Sequence, residues 1–146
     1  MNWAYSTVSI AAPTYDKKTT SSWTLSPSTC RYFSFTPTIS GEVIFYSNSS
    51  IDTYGYLTSS ITSLNGNGQP SSSIVSDDDS AKKYGGSGGN FGICHKVTAG
   101  TTYYIFVKPY SDSTASNSVY LTYYMAHPDS RVYVKINNTA WKLITN

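Results

Sequence analysis

Short segments of alternating apolar and polar residues recur along the chain and end at turn-forming residues. Residues 31–36 alternate and stop at Pro37, and residues 42–47 begin a second alternating segment directly after Gly41. A period of two places successive side chains on opposite faces of a strand. The two segments therefore predict β-strands, and the short break between them predicts a hairpin connection.

The same pattern continues to residue 125, with turn residues such as Asn65-Gly66-Asn67-Gly68 between the segments. No window has an apolar stripe of helical period over three turns. Strands that recur about every ten residues are typical of an all-β, antiparallel β-sandwich of the jelly-roll type. The further predicted strands are 8–10, 22–25, 52–58, 73–76, 91–97, 101–108 and 119–125.

The last twenty residues have a different character and predict a separate β-hairpin. Residues 132–136 alternate, Asn137 and Asn138 predict a turn with positive φ, and residues 141–144 form the second strand. A lone two-stranded hairpin is only marginally stable in water. The predicted organisation is therefore a sandwich at 1–126 and a docking hairpin at 127–146, which packs on the sandwich or on another chain.

Composition and charge narrow the class of protein. Charged residues make up 12% of the chain, roughly half of the usual share, which argues against helical bundles, coiled coils and charged disordered tails. The net charge is +2 and the basic residues are scattered, so no nucleic-acid partner is expected. No apolar run is long enough for a membrane span, and the first residues lack the pattern of a secretory leader.

The two cysteines, Cys30 and Cys94, belong to no CxxC motif or Cys/His cluster. One interpretation is a pair of small free thiols that are buried or half-buried. The other is a single disulfide between two strands, which requires an oxidising compartment and adjacent backbones.

Asp77, Asp78 and Asp79 are the candidate metal ligands. Adjacent carboxylates repel one another, and Ca²⁺ relieves that repulsion with hard oxygen ligands, with Asp52 joining from a neighbouring loop. The alternative is an acidic turn whose side chains cap backbone N–H groups. No other cofactor is expected.

No catalytic site is predicted. Gly85-Gly86-Ser87-Gly88-Gly89 matches the G-x-S-x-G pattern of hydrolases, but the segment after it is strand-like, whereas the hydrolase turn needs a helix there. His95 lies in an alternating strand and His127 beside Pro128, so neither is placed as a base for Ser87.

The 14 tyrosines are the most informative feature of the composition. Adjacent tyrosines in a strand point to opposite faces, so one member of each of the pairs 103/104 and 123/124 should lie in the core. Tyr54, Tyr56 and Tyr110 are expected on an outer face, where tyrosine provides rigid, half-polar area for protein or sugar contacts. The alternative is that tyrosine only fills sheet faces in a charge-poor chain.

The order of motifs from about residue 5 to residue 125 resembles the bacterial pre-peptidase C-terminal domain family. The resemblance rests on 32–37, 40–43, 52–57, 76–80, the glycine-rich stretch to Phe91, and 98–107. It implies a non-catalytic β-sandwich that serves in binding or maturation beside secreted enzymes. Some relatives bind calcium through an Asp-rich segment before the first of these strands, but residues 26–30 hold no carboxylate here.

The segment 132–142 resembles the short terminal hairpins of phage virion proteins. Together with the absence of a leader, this leads to the prediction of a non-catalytic accessory protein of a phage virion, such as a decoration, fibre-base or tail-adhesion module. Tyr133 and Trp141 would then bind other virion proteins or identical copies. The alternative is an extracellular or cell-surface carbohydrate-binding module that recognises a host-surface glycan.

Overall fold

The computed structural model describes residues 3–15, 17–111 and 116–127, and the backbone of two further strands near the C-terminus. Nine strands form the two sheets of a β-sandwich, and no α-helix occurs in these ranges. The strands are β1 (Ala4–Ser9), β2 (Thr19–Leu25), β3 (Thr29–Phe35), β4 (Gly41–Ser49), β5 (Thr53–Thr58), β6 (Val75–Asp77), β7 (Gly92–Val97), β8 (Tyr103–Pro109) and β9 (Asn117–Met125).

One sheet has the order β1-β3-β8-β5-β6 and the other has the order β2-β9-β4-β7. All neighbours are antiparallel except β1, which pairs with β3 in parallel at the edge of the first sheet. The predicted β-sandwich is confirmed. The predicted hairpin across residues 37–41 is wrong, because β3 and β4 lie in different sheets and the connection crosses between them.

The core lies between the two inner faces and consists of the alternate residues of each strand. Phe35 and Phe45 meet across the sandwich with ring centroids 4.9 Å apart, and Trp23 meets Phe33 at 4.8 Å. Burial of these large rings contributes to the hydrophobic driving force that joins the sheets. The other main contributors are Leu25, Val43, Leu57, Phe91, Ile93, Ile105, Val107, Val119, Leu121, Tyr123 and Met125.

Gly55 allows Phe91 to close the core between β5 and the start of β7. A Cβ atom at position 55 would lie 2.2 Å from the Phe91 ring, so only glycine fits beneath it. Phe91 is fully buried as a result.

Two segments differ in detail from the sequence prediction. The first strand extends over Ala4–Ser9, because it pairs with β3, and β6 begins at Val75. A short 3₁₀ helix (Ala81–Tyr84) precedes the glycine-rich loop and ends at Gly85, whose φ of 106° suits glycine. Within the described residues, no helix is long and apolar enough to cross a membrane.

The predicted C-terminal hairpin is present as the antiparallel strands β10 (Tyr133–Ile136) and β11 (Ala140–Leu143). They form a two-stranded sheet of their own, and neither pairs with a described strand of the sandwich. The predicted turn at Asn137-Asn138 lies outside the described residues.

Candidate functional site

Tyrosine side chains occupy both faces of the sheets in the alternation that the sequence predicts. Tyr123 is 1% exposed in the core, whereas Tyr124 packs on the outer face of the four-stranded sheet. Tyr103 packs against the core, and Tyr104 packs on the outer face of the five-stranded sheet. The outer face of the five-stranded sheet therefore carries a second aromatic cluster, separate from the core.

The three tyrosines predicted as binding residues lie together at one end of this face. The rings of Tyr54 and Tyr56 are 4.7 Å apart at an interplanar angle of 9°, and those of Tyr54 and Tyr110 are 5.9 Å apart at 10°. Tyr56 also packs edge-on against Phe106 at 5.7 Å. Near-parallel rings in a row form a rigid surface whose side-chain entropy is already lost before any ligand binds.

The loop 59–74 covers part of this face and is organised by one asparagine. Asn65 Oδ1 accepts hydrogen bonds from the backbone N–H groups of Asn67 at 2.8 Å and Gln69 at 3.1 Å. Gln69 Nε2 in turn donates to the Tyr56 hydroxyl at 2.9 Å. The predicted turn at 65–68 is confirmed, and it fixes two amide side chains beside the tyrosine row.

Trp3 closes the opposite side of the same region. Its indole ring lies against Gly68, where φ is 75° and a Cβ atom would come within 2.3 Å of the ring. Glycine at this position therefore serves both the turn and the close approach of the indole.

Lys108 lies beneath the rings and is only 2% exposed. It is directly opposite Tyr54 in the sheet, so its side chain leaves the strand on the outer face. Nζ donates to the carbonyl oxygens of Pro109 at 2.7 Å and Tyr110 at 3.1 Å, and it lies 4.9 Å from the centre of the Trp3 ring. These contacts compensate part of the cost of burying the ammonium group.

Together these residues form a cleft of about 320 Å³, which we call the tyrosine cleft. It combines aromatic rings with uncharged polar groups of the turn and one buried lysine. Tyr110 is 51% exposed, and no side-chain hydrogen bond involves its hydroxyl or the Asn67 amide within the described residues. The lining residues are Trp3, Tyr54, Gly66, Asn67, Gln69, Lys108, Tyr110 and Ser111.

Burial keeps the hydroxyl below the cleft uncharged. Desolvation raises the pKa of Tyr56 well above its ordinary value, and the hydrogen bond from Gln69 offsets this only in part. Tyr56 therefore stays neutral to a higher pH than an exposed tyrosine and remains a hydrogen-bond partner of Gln69.

The acidic segment 77–79, which holds three of the candidate calcium ligands, lies in a turn that is stabilised by hydrogen bonds to Asp77. One Asp77 oxygen accepts from the backbone N–H groups of Ser80 at 2.8 Å, Asp79 at 3.1 Å and Gly92 at 3.0 Å, while the other accepts from the Ser80 hydroxyl at 2.8 Å. This is the alternative of a capping turn.

Asp52 lies close to the acidic turn, as the calcium prediction requires. Burial, followed by the charges of Asp79 and Asp78, raises the pKa of Asp52. Among the residues that the structure describes, however, no group of three or more carboxylate, thiol or imidazole side chains is arranged to hold a metal ion. The calcium site stays a prediction, and the geometry of Asp77 accounts for that residue without an ion.

The Ser87 side chain is held by hydrogen bonds to neighbouring polar groups. Its hydroxyl donates to Asn48 Oδ1 at 2.7 Å, and its oxygen accepts from Asn90 Nδ2 at 3.0 Å. The residue follows a 3₁₀ helix and precedes β7, which is the reverse of the strand–turn–helix order of a hydrolase nucleophile. His127 stacks on Tyr15 at 5.2 Å, and His95 is half-buried in β7.

Both cysteines are free thiols, and they lie in different sheets. Cys30 donates to the carbonyl oxygen of Ala4 at 3.4 Å, and Cys94 donates to Glu42 at 3.4 Å. Burial raises the pKa of Cys30 to about 12 and that of Cys94 to about 11. Cys30 is buried and Cys94 is half-buried. The interpretation as two free, buried or half-buried thiols is confirmed, and the disulfide alternative is wrong.

The remaining predicted binding residues, Tyr133 and Trp141, belong to β10 and β11, and their side chains lie outside the described part of the structure. Conversely, sequence reasoning missed Trp3 and Lys108 as cleft residues. Lys108 has the same parity as Tyr104 and Phe106 in its strand, so the alternation alone could have placed it on the outer face. Trp3 has no such sign, because its place depends on the parallel pairing of β1.

Comparison with known proteins supports the fold. No protein-family model matches the chain, and no curated protein matches its sequence. The chain superposes on the pre-peptidase C-terminal domain of a collagenase from Bacillus anthracis with a TM-score of 0.54 and 12% identity, over 81% of this chain and 94% of that chain. The sequence-based resemblance to this family is thus confirmed as a likeness of fold.

A second solved structure with the same type of fold is PliG from Aeromonas hydrophila, a periplasmic lysozyme inhibitor of g-type lysozyme. Its TM-score is 0.51 at 9% identity, over 83% of this chain and 98% of that chain. At such identities the likeness concerns the fold alone. The resemblance of the C-terminal hairpin to phage virion proteins stays a prediction.

Proposed function

We propose that this protein is a non-catalytic binding module that holds a carbohydrate in the tyrosine cleft. The observation that carries the proposal is the convergence of Tyr54, Tyr110 and Trp3 around a cleft of about 320 Å³, with the buried Tyr56 ring stacked on Tyr54. Sugar rings present apolar C–H faces and polar edges, and aromatic side chains with nearby amides match both.

The turn beside the rings supplies the polar part of the recognition. Asn67 presents an amide that can donate and accept, and the Tyr110 hydroxyl can do the same. Asn65 and Gln69 hold this turn by hydrogen bonds within the protein, so the site is preorganised. The turn thus presents preorganised, uncharged donors and acceptors, which favour a polyhydroxylated ligand.

A glycan array with the full chain tests the proposal, followed by titration of the bound glycan. Tyr110→Ala removes an exposed ring from the rim of the cleft, and we expect it to weaken binding about fivefold or more. Asn67→Ala should also weaken binding, because it removes the amide that reaches the ligand.

Tyr120→Ala is the matched control for Tyr110→Ala. The two rings are 48% and 51% exposed, but Tyr120 lies on β9 in the other sheet. We expect the control to bind the glycan as the unchanged protein does. An array on which no glycan is bound contradicts carbohydrate binding in the cleft. Equal losses of glycan affinity in Tyr110→Ala and Tyr120→Ala contradict it as well.

A second candidate function is assembly with identical copies or other proteins of a phage virion. The observation that favours it is the two-stranded sheet of β10 and β11, which pairs with no described strand of the sandwich. Because such a hairpin is marginal alone, a partner chain would provide the packing that stabilises it. A virion module that also binds a surface glycan would combine both candidates.

A further inference from the structure

A charged residue lies on the inner face at one end of the sandwich. Arg31 shares the parity of Phe33 and Phe35 in β3, and both phenylalanines belong to the core. The guanidinium carbon of Arg31 is 5.9 Å from the centre of the Phe33 ring and 5.9 Å from that of the Trp23 ring. Arg31 therefore stands over the end of the core, between the edges formed by β1 and β2.

The hydrogen-bonding capacity of Arg31 is mostly unused. Nε donates to Ser6 Oγ at 3.0 Å, and no other hydrogen bond or ion pair involves the Arg31 side chain within the described residues. The two Nη groups thus carry unpaired donors on a half-buried side chain. Trp23 is 8% exposed, and its indole N–H also has no hydrogen-bond partner there.

These two side chains line a cavity of about 280 Å³ between β1 and the end of β2. Its wall combines apolar groups with hydroxyls, and none of the described residues that line it is acidic. Unpaired guanidinium donors facing a cavity without a carboxylate are suited to bidentate recognition of an anionic group. The other lining residues are Ala4, Tyr5, Ser6, Thr24, Leu25, Ser26, Thr29 and Cys30.

The geometry points to an anion subsite in this cavity, in which the Arg31 guanidinium binds the carboxylate of a small sugar acid. Ser6, Ser26 and Thr29 also line the cavity, and their side chains would lie near the hydroxyls of the bound sugar. The subsite is separate from the tyrosine cleft, since none of the described residues lines both cavities. Its existence does not depend on carbohydrate binding in that cleft.

Titration of the full chain with glucuronate and with glucose tests the subsite, at constant ionic strength. The two sugars differ in the carboxylate, and the Trp23 indole N–H resonance reports on the cavity. We expect a saturable shift of this resonance with glucuronate and none with glucose. Arg31→Met should weaken glucuronate binding at least about tenfold, because both charge-assisted hydrogen bonds are lost.

Lys96→Met is the matched control, because it removes one exposed positive charge from β7 in the other sheet. Arg31→Lys keeps the positive charge but loses the planar pair of donors, so it should also bind glucuronate more weakly. This variant should fold even if Arg31→Met does not. Equal shifts with glucose and glucuronate, or affinity that Arg31→Lys and Arg31→Met leave unchanged, would overturn the subsite. An equal loss in Lys96→Met would reduce the effect to net charge and overturn it as well.

Discussion

At the scale of single residues, Asn90 shows how one buried amide connects several segments. It is fully buried, and its Oδ1 accepts from the hydroxyls of Ser47 at 2.8 Å and Ser49 at 2.9 Å. Its Nδ2 donates to the Ser49 carbonyl at 3.1 Å and to Ser87. Ser47 also bonds Thr53 at 2.7 Å, so the amide joins β4, β5 and the glycine-rich loop.

Asn90→Ala should therefore lower the free energy of unfolding by about 2–4 kcal/mol, because it leaves several buried hydroxyl and carbonyl groups without partners. Urea unfolding followed by tryptophan fluorescence measures the change. Asn67→Ala, at an exposed position, is the control and should change stability by less than about 0.5 kcal/mol. Equal unfolding midpoints for Asn90→Ala and the unchanged protein would contradict the network.

The same scale explains which site residues the sequence could predict. Tyr54 and Tyr56 share a parity in one strand, so their common face follows from alternation. The network around Asn90 could not be predicted, because its partners in β4 and β5 are 37 to 43 positions away and meet it only in the folded sandwich. The position of Arg31 is also not predictable from the sequence. Its parity in β3 favours the core face, whereas its charge favours exposure to solvent.

At the scale of elements, alternation located the strands but not their partners. The segment 31–36 and the segment 42–47 are correctly predicted as strands, yet a hairpin between them is not formed. The parallel pairing of β1 with β3 is equally unpredictable from local pattern, because nothing in the connecting residues distinguishes the two directions. Pairing depends on long-range burial, which a short window does not contain.

The C-terminal hairpin permits a prediction at this scale. A chain that ends at His127 should keep the fold and the unfolding free energy of the sandwich, because β10 and β11 pair only with each other among the described strands. Circular dichroism and urea unfolding measure this. In the virion interpretation the same truncation should abolish incorporation into particles, whereas a surface substitution such as Tyr120→Ala should not.

Two outcomes would contradict these expectations. Loss of cooperative unfolding in the truncated chain would mean that the hairpin is part of the sandwich. Unchanged incorporation into particles would contradict assembly through the hairpin.

At the scale of the whole molecule, buried ionisable groups make stability depend on alkaline pH. Burial raises the pKa of Cys30 to about 12 and that of Cys94 to about 11, and it also raises the pKa of Tyr32, Tyr56 and Tyr123. In the unfolded chain, thiols have a pKa of about 8.5 and tyrosines a pKa of about 10. Above these values the unfolded chain releases protons that the folded chain retains, which favours unfolding.

The free energy of unfolding should therefore be unaffected by these groups below about pH 8 and should fall steadily between about pH 9 and pH 12. Urea midpoints measured across this range test the prediction. A variant with Cys30→Ala and Cys94→Ala removes the thiol contribution, so its decline should begin about one pH unit later, where the tyrosines ionise. Identical midpoints at pH 8 and pH 11 would contradict the burial of these groups.

If the two cavities bind ligands as proposed, the parallel strand β1 connects both sites at the edge of the sandwich. It begins directly after Trp3, which forms one wall of the tyrosine cleft, and it carries Ser6, which holds Arg31 at the second cavity. An edge strand paired on one side opens more readily than an internal one. Ligand binding in either cavity would thus be coupled to local opening of β1, and a bound ligand would stabilise the pairing of β1 with β3.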